Sequence, residues 1–468
     1  MAHESPAGGT SLRRTVATVT ERIAALLADA LERESSIPPV ALDGPASTSL
    51  HDDRRRQQLL VGHWLSEEIA RMNHARLAAG LALIGPSDDA ELRRRVAAEL
   101  TGAGPLQALM DDPDVEEIDV NSHRSTWVSY RDGHKVDVGQ LWESPGELTA
   151  FQKRLALRNG TTEGRLDTSS PMLTLQSDDG SRIVLVLGGP TEHGISTHPR
   201  LAIRRFVVRN VGLDGLSARG MFPSWLVPVL EALVCTGFTI LVSGGPGAGK
   251  TTLLTELLGA VSPRERIVTV ERSLLELRLE DDPRHPDAPA LFTRQANAEG
   301  RGEITTRELV ELTRRLNPDR VVVGELVEDE ALDMLDVASM CKRGSLATIH
   351  AHTADVVLDR LAYYVAKSNT NLPEFAVWNL IAQTVDFVVH IDLVRNTDGG
   401  HGTSRRVTSV IEVGGRGEAG GISSTEVWGL DDEGALRQLA PLSRRHIRRL
   451  TTAGYPASMF VAGFGALA

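Results

Sequence analysis

From residue 221 onward the chain alternates short apolar runs with amphipathic stretches. "FTILVSG", "RIVTVE", "RVVVGE", "SLATIHA" and "DFVVHI" are rich in Val, Ile and Leu and bounded by turn residues, which predicts buried strands. Between them "TTRELVELTRRLN" has helical spacing, with Thr305 and Glu308 placed for a capping box. Such alternation predicts a doubly wound α/β domain with a mainly parallel sheet. Further on, "RRVTSVIEV" and "STEVWGLD" flank a Gly-rich loop and predict a hairpin that extends the sheet. A basic helix, "SRRHIRRL", precedes an apolar tail.

The first half has a different rhythm. "RRTVATVTERIAALLADALERE" carries an apolar stripe at Val16, Val19, Ile23, Leu26 and Ala30, which predicts one amphipathic helix before a Pro/Ser/Gly-rich linker. Residues 51–102 read as helical, with Leu59, Trp64, Ile69 and Met72 among the apolar positions. Residues 103–208 read as a smaller α/β domain. Its strands include "VEEIDVN", "STWVSYRDG" and "SRIVLVLGG", with hairpin signals at "RDG" and "DDG". The expected organisation is a flexible segment with one helix (1–50), a helical region (51–102), the small α/β domain (103–208), a hinge linker (209–220), a large α/β domain (221–440) and a C-terminal helix and tail (441–468). No internal repeat is evident.

Composition narrows the function. The 468 residues are 41% hydrophobic but only 4% aromatic, so the cores are built from aliphatic side chains. A net charge of −12 argues against a general nucleic-acid binder, whose affinity comes mainly from neutralising phosphates. The basic runs at 54–56 and 444–449 read more simply as solvated helix faces. Two cysteines, Cys235 and Cys341, form no zinc-type spacing and require no oxidising compartment. The N-terminus has no apolar core of the signal-peptide kind. "WLVPVLEALVCTGFTILVSG", broken by Glu231 and a glycine, reads as a buried helix and strand rather than a membrane span. A cytoplasmic protein is expected.

The strongest chemical signal is "GGPGAGKTT": Gly244, Gly245, Pro246, Gly247, Ala248, Gly249, Lys250, Thr251 and Thr252. It matches G-x-x-x-x-G-K-[ST] between an expected strand and an expected helix. Glycines let backbone N–H groups turn onto phosphate oxygens at a helix N-terminus. Lys250 would bind the β- and γ-phosphates of ATP, and the Thr251 hydroxyl would ligate Mg²⁺. Glu325 and Glu271 end two of the expected strands, and such a pair divides between holding hydrated Mg²⁺ and polarising the attacking water. In "GSLATIHAHTADVV", His350 and His352 would share a face if both lay in a strand. Alone, they leave open a catalytic pair, a metal site or buried core histidines.

Several motifs, taken together, resemble one family. "GPLQALMDDPDVEEIDVN", "GRLDTSSPM", "DGSRIVLV", "LAIRRF", "SGGPGAGKTTLL", "NAEGRGEITTRELVELTRRLNPDRVVVGE" and "EALDMLDVASMCKRGSLATIHAHTADVVLDRL" resemble bacterial secretion ATPases of the type II/type IV superfamily. They are most similar to the CpaF-like branch that powers tight-adherence (Tad) and Flp-type pili. The resemblance spans roughly residues 100–415. It implies a homohexameric ring of two-domain subunits, each a small N-terminal domain hinged to a RecA-like domain. It also implies a cytoplasmic location at the inner face of the plasma membrane, through an inner-membrane platform protein. By the same resemblance, Glu271 is the general base, Glu325 is the Mg²⁺-associated Walker B glutamate and His350 senses the γ-phosphate. Arg182, Arg204 and Arg205 would reach the triphosphate from the N-terminal domain. His352 stands where the family usually has Asn and is given no chemistry.

Three positions depart from the family. Glu271 is followed by Arg272 rather than Asp, Val327 stands where the family has Arg, and Lys342 replaces a histidine. Loss of a charge-stabilising arginine can cost about 10³ to 10⁵ in rate. An active ATPase is the expectation. A slow or degenerate nucleotide-binding scaffold, or a DNA-linked conjugation or uptake motor, are the alternatives.

Overall fold

The computed structural model describes residues 15–16, 18–26, 50–159, 166–177, 179–189, 195–205, 211–272, 276–294, 296, 301–328, 330–368, 372–395, 403–417 and 421–460. The Pro/Ser/Gly-rich linker, Ala30 and the end of the apolar tail lie outside these residues. The chain divides into two compact units: Met1–Ser129, Lys135–Thr174 and Ile183–Ile203 in one, and Tyr130–His134, Leu175–Arg182 and Arg204–Ala468 in the other.

The first unit contains helices Leu50–Ala78, Pro86–Thr101 and Pro145–Asn159. Val16, Val19 and Ile23 lie in a helical stretch within 15–26 and share a core with Val61, Leu65, Ile69, Leu92 and Val96. The expected accessory helix is therefore one wall of a small helical core. Trp64 and Met72 pack against it, whereas Leu59 is exposed. Strands β1 (Val115–Ser122), β2 (Ser125–Tyr130), β3 (Lys135–Asp137), β4 (Met172–Gln176), β5 (Arg182–Val186) and β6 (Arg200–Arg204) form a six-stranded sheet in the order β3-β2-β1-β6-β5-β4. "RDG" makes the expected turn, with Gly133 at φ 87° and its N–H donating to the Tyr130 carbonyl at 2.9 Å.

The second unit is built on a nine-stranded sheet. Its strands are β7 (Ile240–Gly244), β8 (Ile267–Glu271), β9 (Ala290–Phe292), β10 (Arg320–Leu326), β11 (Ser345–His350), β12 (Phe387–Arg395), β13 (Thr403–Arg416), β14 (Ile422–Leu430) and β15 (Leu436–Gln438). They follow the order β15-β14-β13-β12-β7-β11-β10-β8-β9. From β12 through β9 the neighbours run parallel, and β13 to β15 add antiparallel strands beside β12. This is the RecA-like α/β class, and the "RRVTSVIEV"/"STEVWGLD" hairpin extends it as expected.

The core follows from period-two alternation under helices on both faces. Ile240 and Val242 join one cluster, with helices Leu226–Thr236, Lys250–Leu258 and Arg444–Thr452, while Leu241 between them joins the other. Helices Thr306–Thr313, Glu330–Met340, Val357–Lys367 and Glu374–Thr384 cover that second face. Thr305 and Glu308 complete the expected capping box at Thr306–Thr313.

Two segments differ from expectation. Within the expected hinge, Gly212–Ala218 is a helix whose Leu213 and Leu216 are buried. The N–H groups of Val211 and Gly212 donate to the buried Glu256 carboxylate at 3.2 and 2.9 Å. Its leucines were legible in "GLDGLSA", but the turn-favouring Gly212, Asp214, Gly215 and Ser217 masked the helix. The C-terminal helix packs into the large core through Leu450, followed by Phe460. No described helix is long and apolar enough to cross a membrane.

Candidate active site

In open parallel sheets, ligands bind beyond the carboxyl ends of the strands. Four chemically distinctive segments converge there. Gly244 ends β7, Glu271 ends β8, Glu325 lies near the end of β10, and His350 ends β11. The β7–β11 register sets Gly244 opposite His350, and Glu325 lies in the irregular stretch between Val323 and Leu326 where the β10–β11 register shifts.

Gly244 through Gly249 turn from β7 into the helix Lys250–Leu258. Two glycines are required by the backbone. A Cβ on Gly244 would stand 2.4 Å from the Ile391 carbonyl oxygen, and Gly249 has the left-handed φ of 95°. Lys250 is folded back over this turn. Its Nζ donates to the Gly245 carbonyl at 3.0 Å and lies 3.1 Å from His350 Nδ1. On the other side of the imidazole, His350 Nε2 meets Glu325 Oε1 at 2.6 Å. The three side chains form a chain, Lys250–His350–Glu325. A neutral His350 with its proton on Nε2 satisfies both contacts, accepting from the ammonium and donating to the carboxylate.

The electrostatics follow from this packing. Burial pulls Lys250 down to about 8, partly opposed by the Glu325 and Glu276 carboxylates. The His350 hydrogen bond holds Glu325 below its ordinary value against the effect of burial, with the charges of Lys250 and Arg272 assisting. Glu271 is buried, and its Oε2 accepts from the N–H groups of Glu276 and Leu277 at 2.7 and 2.9 Å. These bonds anchor the carboxylate.

Thr251 Oγ1 donates to Glu276 Oε2 at 3.2 Å. Glu276 carried no sequence motif; it lies outside the helices and strands, five residues after the end of β8. The oxygen donors of Thr251, Glu276 and Glu325 fit a hard cation such as Mg²⁺, which commonly takes one or two protein ligands and completes its shell with phosphates and water. No cluster of three or more His, Cys, Asp or Glu among the described residues is disposed to hold a metal unaided.

The departures fall on opposite ends of the sheet. Arg272 is at the site, with Nη2 at 3.5 Å from Glu330, whose buried carboxylate also accepts from the Val327 and Glu328 N–H groups. Lys342 precedes β11 and bonds Asp319, which precedes β10, at 3.0 Å. It is therefore at the amino ends of the strands and supplies nothing to the phosphate site. Nor does β11 reach His352, which is exposed beyond the strand, so the histidines do not form a same-face pair. Arg182 opens β5 and Arg204 closes β6 in the first sheet, with Arg205 just after it. Two further residues beside the P-loop were missed by sequence reading. His390 on β12 is buried with Nδ1 2.8 Å from Ser243 Oγ, and Arg405 on β13 donates from Nε to the Gly247 carbonyl at 2.8 Å. Both come from strands far along the chain whose residue pattern names no phosphate chemistry.

The sheet order and glycine turn define a RecA-like P-loop protein. Residues 121–418 match the family described as "Type II/IV secretion system protein", and this chain belongs to that family. A relative in Mycobacterium tuberculosis whose name refers to conjugal transfer is 32% identical over 365 residues, spanning 75% of this chain and 97% of the relative. The type IV secretion system protein PtlH of Bordetella pertussis is 30% identical, spanning 65% of this chain and 93% of its own length. Among solved structures, the ATPase DotB of Legionella pneumophila overlays with a TM-score of 0.47 at 15% identity, covering 66% of this chain and 79% of that one.

Proposed function

We propose that this chain is an ATP hydrolase that drives a secretion or pilus machine. The observation that carries the reading is the Lys250–His350–Glu325 chain beneath a P-loop, with the Glu271 carboxylate anchored on β8. ATP would enter with its phosphates on the turn from Gly244 to Thr252 and displace Lys250 from the Gly245 carbonyl. His350, released from Lys250, would face the terminal phosphate while Glu325 holds its other nitrogen. Glu271 would accept a proton from the water that attacks the γ-phosphorus as the bond to the β-γ bridging oxygen breaks. Mg²⁺, when bound near Thr251, would neutralise charge on the phosphates. In this reading Arg182, Arg204 and Arg205 engage the triphosphate during closure, where a planar guanidinium pairs with phosphate bidentately.

The finer reading is a CpaF-like homohexamer at the inner face of the plasma membrane, passing motion to a platform protein that moves pilins. It rests on the order of motifs in the sequence. A Lys250→Ala protein that still supported pilus assembly or secretion in its host would overturn it. Sizing with and without ATP would test the ring.

A second reading, a DNA-linked motor, is favoured by the relative's conjugal-transfer name. The basic run at 444–449 supports it weakly, because Arg449 is committed to Asp386 at 2.7 Å and His446 is buried. Steeply salt-dependent DNA binding by the purified protein would favour it. Tight ATP binding without turnover would instead favour the scaffold alternative, in which Arg272 and Val327 have disabled the chemistry.

A further inference from the structure

The P-loop is gripped from outside by a residue with no place in its motif. Arg405 lies on β13, the antiparallel strand beyond β12, in register with Leu393. Its Nε donates to the Gly247 carbonyl at 2.8 Å. The stem of the same side chain packs over the helix start, since a Cβ on Gly249 would meet Arg405 Cδ at 3.3 Å. The strand itself is pinned nearby by Val407, whose N–H donates to the Met221 carbonyl at 2.8 Å.

A peptide plane cannot be fixed at its carbonyl without fixing the N–H that follows. The N–H paired with the Gly247 carbonyl is that of Ala248, which points to the Gly245 carbonyl at 3.3 Å. The Arg405 bond at the carbonyl and the turn bond at the N–H hold this one peptide from both sides, and with it the approach to the helix start. Gly247, with φ of 71°, has no side chain of its own to restrict rotation.

We propose that Arg405 is a positioning residue for the nucleotide site: its Nε–H fixes the Gly247–Ala248 peptide and so keeps the turn from Gly244 to Lys250 in the shape a phosphate cradle needs. The proposal rests on the reading of this turn as a triphosphate site. It concerns the hydrogen bond from Nε, not the guanidinium charge, and this distinction makes it testable. A glutamine places its amide nitrogen at the same distance along the side chain as arginine Nε, so Arg405→Gln keeps the donor and loses the charge. Arg405→Lys keeps the charge and has a methylene at that point.

The test is equilibrium binding of a fluorescent ATP analogue and of ADP to the full chain and to the Arg405→Gln, Arg405→Lys and Arg405→Ala variants. Turnover is measured alongside, and circular dichroism checks each fold. A hydrogen bond from a charged group is worth enough that its loss weakens binding by about 10- to 100-fold. That loss is expected in Lys and Ala, in Kd and KM more than in kcat, with Gln recovering most of the affinity. Recovery by Lys but not Gln would overturn the proposal and assign Arg405 to direct charge pairing with phosphate. Equal affinity in all four proteins would overturn it too. Failure of the unsubstituted chain to bind nucleotide would instead remove the triphosphate reading, a result separable from either outcome.

Discussion

The two ends of the nine-stranded sheet use their charged groups differently. At the amino ends, charges are closed on one another. Arg320 is fully buried and bonds the Val234 carbonyl and Glu265, at 3.1 and 3.2 Å from Nη2. Arg266 reaches the Leu316 carbonyl at 2.9 Å and also pairs with Asp287. His446 is held between Glu412 and Asp386, and Asp386 also accepts from the Thr239 N–H at 2.9 Å and from Arg449. At the carboxyl ends, by contrast, the cation is set against a neutral ring. Lys250 touches a carbonyl and an imidazole, and burial lowers its proton affinity. A charge that is fully paired stabilises a fold. One left short of a counter-charge is available to an anionic ligand.

The largest effects should fall at the under-paired end. Lys250→Ala, and separately Glu325→Gln or Glu271→Gln, are each expected to lower ATP turnover by about 10²-fold or more, as lost charge stabilisation or acid-base help does. Thermal stability should change little by comparison, which calorimetry would check. A large fall in melting temperature with turnover intact would erase the contrast between the ends.

Next comes the closed end. Removing one member of a buried charged cluster costs about 3–5 kcal/mol, so His446→Ala should lower unfolding free energy by that order without acting on the phosphate site. Burial disfavours the His446 imidazolium, but its hydrogen bonds to Asp386 and Glu412 outweigh it and raise the group above its usual 6.5. Its contribution is complete below 6.5 and is lost as pH rises through the elevated folded value. Glu412 is buried too, yet hydrogen bonds from His446 and Ser443 lower it below its usual 4.5, so its contribution is complete above 4.5 and lost as pH falls through the folded value. Stability from this cluster is therefore greatest between 4.5 and 6.5, and denaturant titrations across pH should show it in the natural chain and not in His446→Ala.

A smaller effect sharpens the other side. Lys250 carries its proton below about 8 and loses it above. Nucleotide affinity measured from about pH 7 to about pH 9 should fall several-fold as the ammonium is titrated. Lys342→Ala should do least. The exposed Lys342–Asp319 pair is worth about 0–1 kcal/mol, and turnover should be unchanged.

Much of this was legible in the sequence. The strands of the large unit announced themselves by runs of Val and Ile between turn residues, and the P-loop by glycine spacing. The amphipathic stripe of Val16, Val19 and Ile23 was visible, but not what it packs against, because a stripe specifies a face and not a partner. The same limit explains Glu276, His390 and Arg405. They reach the site through a loop and two strands whose neighbours are set by sheet order, and no local spacing encodes that order. Lys342 shows the converse: a residue two positions before "GSLATIH" lies at the other end of the strand from His350.

The central claim is that the carboxyl end of this sheet hydrolyses ATP. Its most direct test is Mg²⁺-dependent phosphate release by the purified protein, beside Lys250→Ala, Glu271→Gln and Glu325→Gln. Turnover in the natural chain that collapses in all three variants is the predicted result. ATP binding with no turnover, or turnover untouched by the substitutions, would contradict it.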